Sequence, residues 1–202
     1  MRSFFLLILI ATSWPDALAQ SSLPPCPTDS SVVWTNCFGT QKFSDAEEYI
    51  GGWRNNEPYG KGSLISLTSA QKHTIVEGKW QDTHTVVTSA GSVRRTAATT
   101  GATFFVFTDS IRRDGAFRRA WLMIAYHERL EETGTLSAKV LMKFDCAGER
   151  YSGVSGTNFY GPFGSGAVVS ILGEMPWNYA APGAAFTNVA TYICKYRLPA
   201  RQ

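Results

Sequence analysis

The residue types that could do covalent chemistry are scattered in this chain. Asp145 stands beside Cys146, but neighbouring strand residues point to opposite faces, so the carboxylate cannot serve that thiol. Ser152 and Ser155 lie in a Gly/Ser-rich stretch, residues 151–166, without the strand–Gly-x-Ser-x-Gly–helix setting of a hydrolase nucleophile. The same glycines lack the Lys-Ser/Thr and following helix of a phosphate cradle. His73, His84 and His127 are dispersed and there is no Cys-x-x-Cys pair, so no metal centre is expected. The expectation is a protein that is no enzyme and carries no cofactor.

Binding chemistry has better support. Arg112-Arg113 and Arg118-Arg119 flank Asp114-Gly115, a hairpin dipeptide. One hairpin tip would then carry Arg112, Arg113, Arg118 and Arg119, a candidate patch for an acidic glycan or anionic lipid. Within each pair the side chains point to opposite faces, so half the charge would meet any one partner. A solvated hairpin that discourages edge pairing is the alternative. Tyr49, Trp53, Tyr59, Tyr160 and Phe163 either form an interface or complete a small core. With 19 basic and 16 acidic residues the net charge is +3, too mild and too dispersed for a nucleic-acid binder.

The first nineteen residues read as an export signal. Arg2 precedes the apolar run 4–10, and Ala17-Leu18-Ala19 is a small-x-small cleavage site before Gln20. The run is too short to span a bilayer, and no later stretch approaches the required length, so no transmembrane segment is expected after cleavage. Cys26 lies too far from the cut for a lipoprotein. The expected location is the periplasm, the cell surface or the medium.

Four cysteines behind an export signal imply disulfides. Of three possible pairings, Cys26–Cys37 and Cys146–Cys194 are expected, because each closes within one structural unit. Residues 20–36 form a proline-bearing linker and lead-in. Residues 37–88 alternate short aromatic runs with Gly, Asn-Asn and Pro-Tyr-Gly turn signals, which fits β-hairpins. Gly51-Gly52-Trp53 overlays on Gly78-Lys79-Trp80, an internal echo of about 27 residues. Tyr49-Ile50-Gly51-Gly52-Trp53, then Asn56 and Gly60-Lys61-Gly62, resembles a MORN repeat, its motif residues being Tyr49, Gly51, Trp53, Gly60 and Gly62. The stretch before it is similar to the lead-in of bacterial MORN arrays. The second copy is degenerate.

Residues 89–100 are small and polar and read as a loop or linker with a weak strand, marking the start of a second part, 89–202. Residues 103–107, 120–126, 137–144, 150–151 onward and 164–172 then read as successive strands joined by short turns, an antiparallel sheet. Phe186, Val189, Ala190, Ile193 and Cys194 fall on one helical face after Pro182-Gly183. A Cys146–Cys194 bond would pin that helix to the sheet.

This second part also carries Asp109-Ser110-Ile111-Arg112-Arg113-Asp114-Gly115, Trp121, Ser137-Ala138-Lys139, Phe144-Asp145-Cys146, Arg150-Tyr151, Trp177, Ala181-Pro182-Gly183 and Cys194-Lys195. In that order they resemble the surface-adhesin protein E-like family. The resemblance implies an antiparallel sheet with a disulfide-tethered C-terminal helix, and an adhesin-like role toward proteins or acidic glycans of a host or of the cell envelope. The overall expectation is an α+β, mostly β protein: MORN-like hairpins, then an antiparallel sheet and one tethered helix. Its alternative role is a periplasmic protein whose hairpins contact lipid or a protein partner.

Overall fold

The structure is a computed structural model describing residues 22–68 and 72–199. The expected signal peptide, residues 1–19, lies outside the described residues. Among the described residues the strands are β1 Cys37–Ser44, β2 Glu47–Arg54, β3 Glu57–Ser66, β4 His73–Trp80, β5 Thr85–Thr88, β6 Gly91–Ala98 and β7 Ala102–Phe107. They continue as β8 Arg112–Asp114, β9 Phe117–Tyr126, β10 Ser137–Asp145, β11 Arg150–Phe159, β12 Val168–Leu172 and β13 Asn178–Tyr179. One α-helix among the described residues, α1 Ala185–Lys195, follows the strands.

All of the strands join one sheet that follows chain order, β1 through β7, then β9 to β12, with β8 attached to β9 and β13 to β11. Every strand pair is antiparallel, as hairpin connections require. Turn chemistry sets the register. Asn55 and Asn56, at φ 51° and 62°, make the two-residue β2–β3 turn. Gly115, at φ 60°, opens the β8–β9 turn, so the glycine of Asp114-Gly115 takes the first central position and Asp114 closes the ladder opposite Phe117.

Two cores lie on opposite faces of the C-terminal strands. The first gathers Tyr49, Trp53, Leu64, Val76, Trp80 and Val93 against Phe105, Phe107 and Met123. The second packs Val106, Ala120, Leu122, Val140, Met142 and Phe144 beneath Val189 and Ile193 of α1. Alternate residues of β7 and β9 enter alternate cores, the period-two consequence of the pleat. Each large side chain so buried contributes roughly 1.5–3 kcal/mol. The helix uses the face its periodicity predicts, and Cys146–Cys194 ties it to the end of β10 at a Cα separation of 5.7 Å. The second expected bond, Cys26–Cys37, holds the lead-in on β1 at 4.8 Å.

Two expectations need correction. Of the loop or linker with a weak strand expected over residues 89–100, the strand is the larger part: it is β6, eight residues paired with both β5 and β7. Its small polar residues still alternate, with Val93 in the first core, and the flanking strands supply the ladder that composition does not announce. The strand expected over 164–172 is confined to Val168–Leu172. Gly164 and Gly166 take φ 79° and 75°, outside strand geometry, and residues 162–164 form a 3₁₀ turn instead.

Candidate binding surface

The four arginines of the β8–β9 hairpin do not act together. Arg112 pairs with Arg119 and Arg113 with Arg118, so each facing pair projects from its own side. Arg118 lies on the helix side, where its Nη1 donates to the carbonyls of Ile193 at 3.1 Å and Tyr196 at 2.6 Å. That guanidinium places a cation at the negative end of the α1 dipole, sharing the Ile193 carbonyl with the Tyr196 N–H and taking up the Tyr196 carbonyl. Arg119 is held by Asp114 at 2.8 Å. Arg112 makes one backbone contact, Nε to Ser110 O at 3.3 Å.

The face without the helix is a cationic and aromatic surface. On it Phe117 and Trp177 pack at 5.5 Å, Lys143 Nζ stands 4.6 Å from the Phe117 ring centre, and Arg150 stands 4.8 Å from that of Trp177. Asp145 belongs to this face as a turn acid. It accepts from the Gly148 N–H at 3.0 Å and from Arg150 Nε at 2.9 Å, and these contacts hold its carboxyl below the usual carboxylate value. Its neighbour Cys146 is in the disulfide.

Further along the same face is a hollow of about 200 Å³, bordered by Ser92, Phe107, Asp109, Arg112, Trp121 and Lys139. Lys139 Nζ stands 4.9 Å from the Phe107 ring centre and 5.5 Å from that of Trp121. Ser110 Oγ accepts the backbone N–H of Trp121 at 2.8 Å and donates to Phe107 O at 2.6 Å, which fixes the turn Thr108–Ser110 beside the indole. Sequence reasoning missed this site, because its walls come from strands that are distant in the chain. A wider groove of about 390 Å³ lies beside the Cys146–Cys194 tether, against Phe144, Pro182 and Ala190.

Two of the residues expected to carry the MORN motif sit in the first core. Tyr49 and Trp53 are buried there, whereas Tyr59 and Tyr160 are exposed. Phe163 packs on Phe105 at 5.3 Å. Gly39, Gly51, Gly62 and Gly78 stand side by side across β1 to β4. A Cβ on Gly51 or Gly62 would overlap the Tyr49 phenol lying across both. Gly60, at φ 77°, has open space where a Cβ would sit. Asn56 fastens the lead-in, its Oδ1 accepting the Trp34 N–H at 2.7 Å while its own N–H reaches Trp34 O at 2.9 Å.

A second missed feature is a buried polar network. Glu47 of β2 accepts close hydrogen bonds from Arg95 of β6 and from the Thr103 hydroxyl of β7. Thr103 Oγ1 lies 2.9 Å from His127 Nε2, and His127 Nδ1 lies 3.0 Å from Thr100 O. With the Thr103 hydroxyl donating to Glu47 and Thr100 presenting a carbonyl, the surroundings favour an imidazole that donates from both nitrogens, the charged form of His127. Burial by itself would raise the Glu47 pKa, but His127, Arg95 and Thr103 outweigh it and hold the carboxyl below its ordinary value. Burial likewise disfavours charged His127, and Glu47 and Thr100 reverse this, raising its pKa. The signal was present in β2, where Glu47 shares the inward parity of Tyr49, Gly51 and Trp53.

Among the described residues no group of His, Cys, Asp and Glu could hold a metal ion, and no helix is long and apolar enough to cross a membrane. A twisted antiparallel sheet with one face roofed by a disulfide-tethered helix, and the part of the other face beyond the first core cationic and aromatic, has the make-up of a binding module. Residues 91–195 match the surface-adhesin protein E family, and the chain belongs to that family. The match begins at β6, ahead of Asp109, the first of the residues that carry the sequence resemblance. No curated protein and no solved structure matches the chain. Membership supports a surface-adhesin-like role, and the two disulfides fit an extracytoplasmic protein.

Proposed function

We propose that this is an exported adhesin-like protein that binds, through the helix-free face of its C-terminal sheet, a protein or glycan of a host or of the cell envelope. One observation carries the reading: α1 covers one face of β9–β11, while Phe117, Trp177, Lys143 and Arg150 remain on the other. Aromatic and guanidinium groups are the side chains that anchor protein interfaces most strongly. The N-terminal hairpins serve as a MORN-like preface, residues 37–88, stacked on the adhesin part through the first core.

The test is binding of the oxidised chain to immobilised extracellular-matrix proteins, with Phe117→Ala/Trp177→Ala as the comparison. Micromolar or tighter binding that the double substitution weakens at least about tenfold supports the reading. No binding at micromolar concentration, together with a purely periplasmic location, removes it.

A second reading has its own observation. Leu23, Val32, Val33, Phe38 and Tyr59 are exposed apolar side chains of the lead-in and first hairpins. They would suit an envelope partner, lipid or protein, approached by the MORN-like segment from the periplasm. Protease shaving of intact cells separates the readings, since cleavage at the surface favours the adhesin. A mature protein beginning at Gln20 would place both beyond the inner membrane.

A further inference from the structure

We propose that the hollow walled by Trp121, Phe107, Lys139 and Arg112 is a subsite for one acidic sugar residue, a uronate or a sulfated pyranose, of a longer glycan. The inference rests on the adhesin reading and narrows its ligand.

Size is the first argument. A volume of about 200 Å³ falls below the roughly 300–1,000 Å³ of sites that enclose a whole small ligand. It suits one residue of a chain whose neighbours lie along the open face.

Charge is the second. Lys139 and Arg112 have no carboxylate partner among the described residues. Lys139 is only partly exposed and is held between two rings, which leaves its ammonium donors available to an anion. The one acid of the lining, Asp109, is engaged as a backbone acceptor, its Oδ2 receiving the Ser92 N–H at 3.1 Å. The hollow therefore keeps a positive balance.

Shape decides between a sugar and an acidic peptide. A pyranose presents a flat C–H face to an indole while its carboxylate or sulfate extends from the ring edge. An aspartyl or glutamyl side chain has no such face and would leave Trp121 unused. The Trp121 side chain is only partly buried, so its indole N–H can serve a ring hydroxyl. The Ser110 bridge holds the turn beside the indole, so the wall is formed before a ligand arrives.

Titration calorimetry of the disulfide-intact full chain tests this, with hexasaccharides of hyaluronan (carboxylate only), heparin (sulfate and carboxylate) and cellulose (neutral). At least one acidic hexasaccharide should bind, more weakly as salt rises, and the neutral one should not. Which acidic arm binds identifies the anion. Lys139→Gln and Arg112→Gln should each weaken binding about tenfold, the scale of a lost charged hydrogen bond. Arg113→Gln, on the opposite face, should leave it unchanged, and the Trp121 indole N–H resonance should shift on titration. Equal binding of the neutral hexasaccharide, tighter binding of a poly-glutamate peptide, or full binding by Lys139→Gln would overturn the proposal. Absence of glycan binding while matrix-protein binding persists removes the subsite and leaves the adhesin reading standing; loss of both removes both.

Discussion

Glu47 and His127 meet at 3.7 Å inside the protein, one on the second strand and the other just past the ninth. Both side chains are 1% exposed, and Thr103 bridges them with a hydroxyl that donates to the carboxylate and accepts from the imidazole. Arg95 completes the cluster from β6. The N-terminal hairpins and the adhesin part are therefore joined by buried charge as well as by the first core.

Removing the anion should strand two cations. Glu47→Gln is expected to destabilise by about 3–5 kcal/mol, the range for breaking a buried ion pair from one side. Urea unfolding measures it. A loss under about 1 kcal/mol would mean that water reaches the cluster and the pair is not buried in solution.

The same cluster sets a pH window. His127 has a raised folded pKa, so its contribution is full below the ordinary imidazole value of 6.5 and is lost as pH rises through the raised one. Glu47 has a depressed folded pKa, so its contribution is full above the ordinary 4.5 and is lost as pH falls through the lower one. Melting temperature should therefore peak between these ordinary values and fall on both sides. In His127→Gln the alkaline decline should flatten; an unchanged profile would assign it to another group.

Tyr49 and the glycines beneath it should be coupled. Gly62→Ala places a methyl group inside the Tyr49 phenol and is expected to cost about 1–3 kcal/mol. Tyr49→Leu creates a cavity of its own, but the two changes together should cost less than their sum. Strict additivity in a double-mutant cycle would mean that the ring does not lie across Gly62.

The two disulfides should differ in weight. In the chain-entropy picture, the sequence separation of 48 closed by Cys146–Cys194 corresponds to about 4 kcal/mol, and the separation of 11 closed by Cys26–Cys37 to about 3 kcal/mol. Paired Cys→Ala variants compared by chemical denaturation test the order. A larger loss from Cys26/Cys37 would show that strain or unfolded-state structure outweighs loop length.

Local pattern alone determined much of this protein. The alternation in residues 137–144 assigned both faces of β10, the 3.6-residue period of Phe186, Val189 and Ile193 assigned the buried side of α1, and cysteine spacing within units assigned both bonds. Each of these follows from backbone geometry that repeats within a few residues. Partners across layers were decided only by the tertiary structure. Arg118 and Arg119 look alike in the chain, yet one ends as a helix cap and the other as a partner of Asp114. Residues 89–100 read as a loop or linker with only a weak strand until β5 and β7 flanked them, and His127 read as isolated until β2 brought Glu47 to it. Periodicity encodes the side to which a residue points, whereas what it meets there depends on packing between segments far apart in the chain.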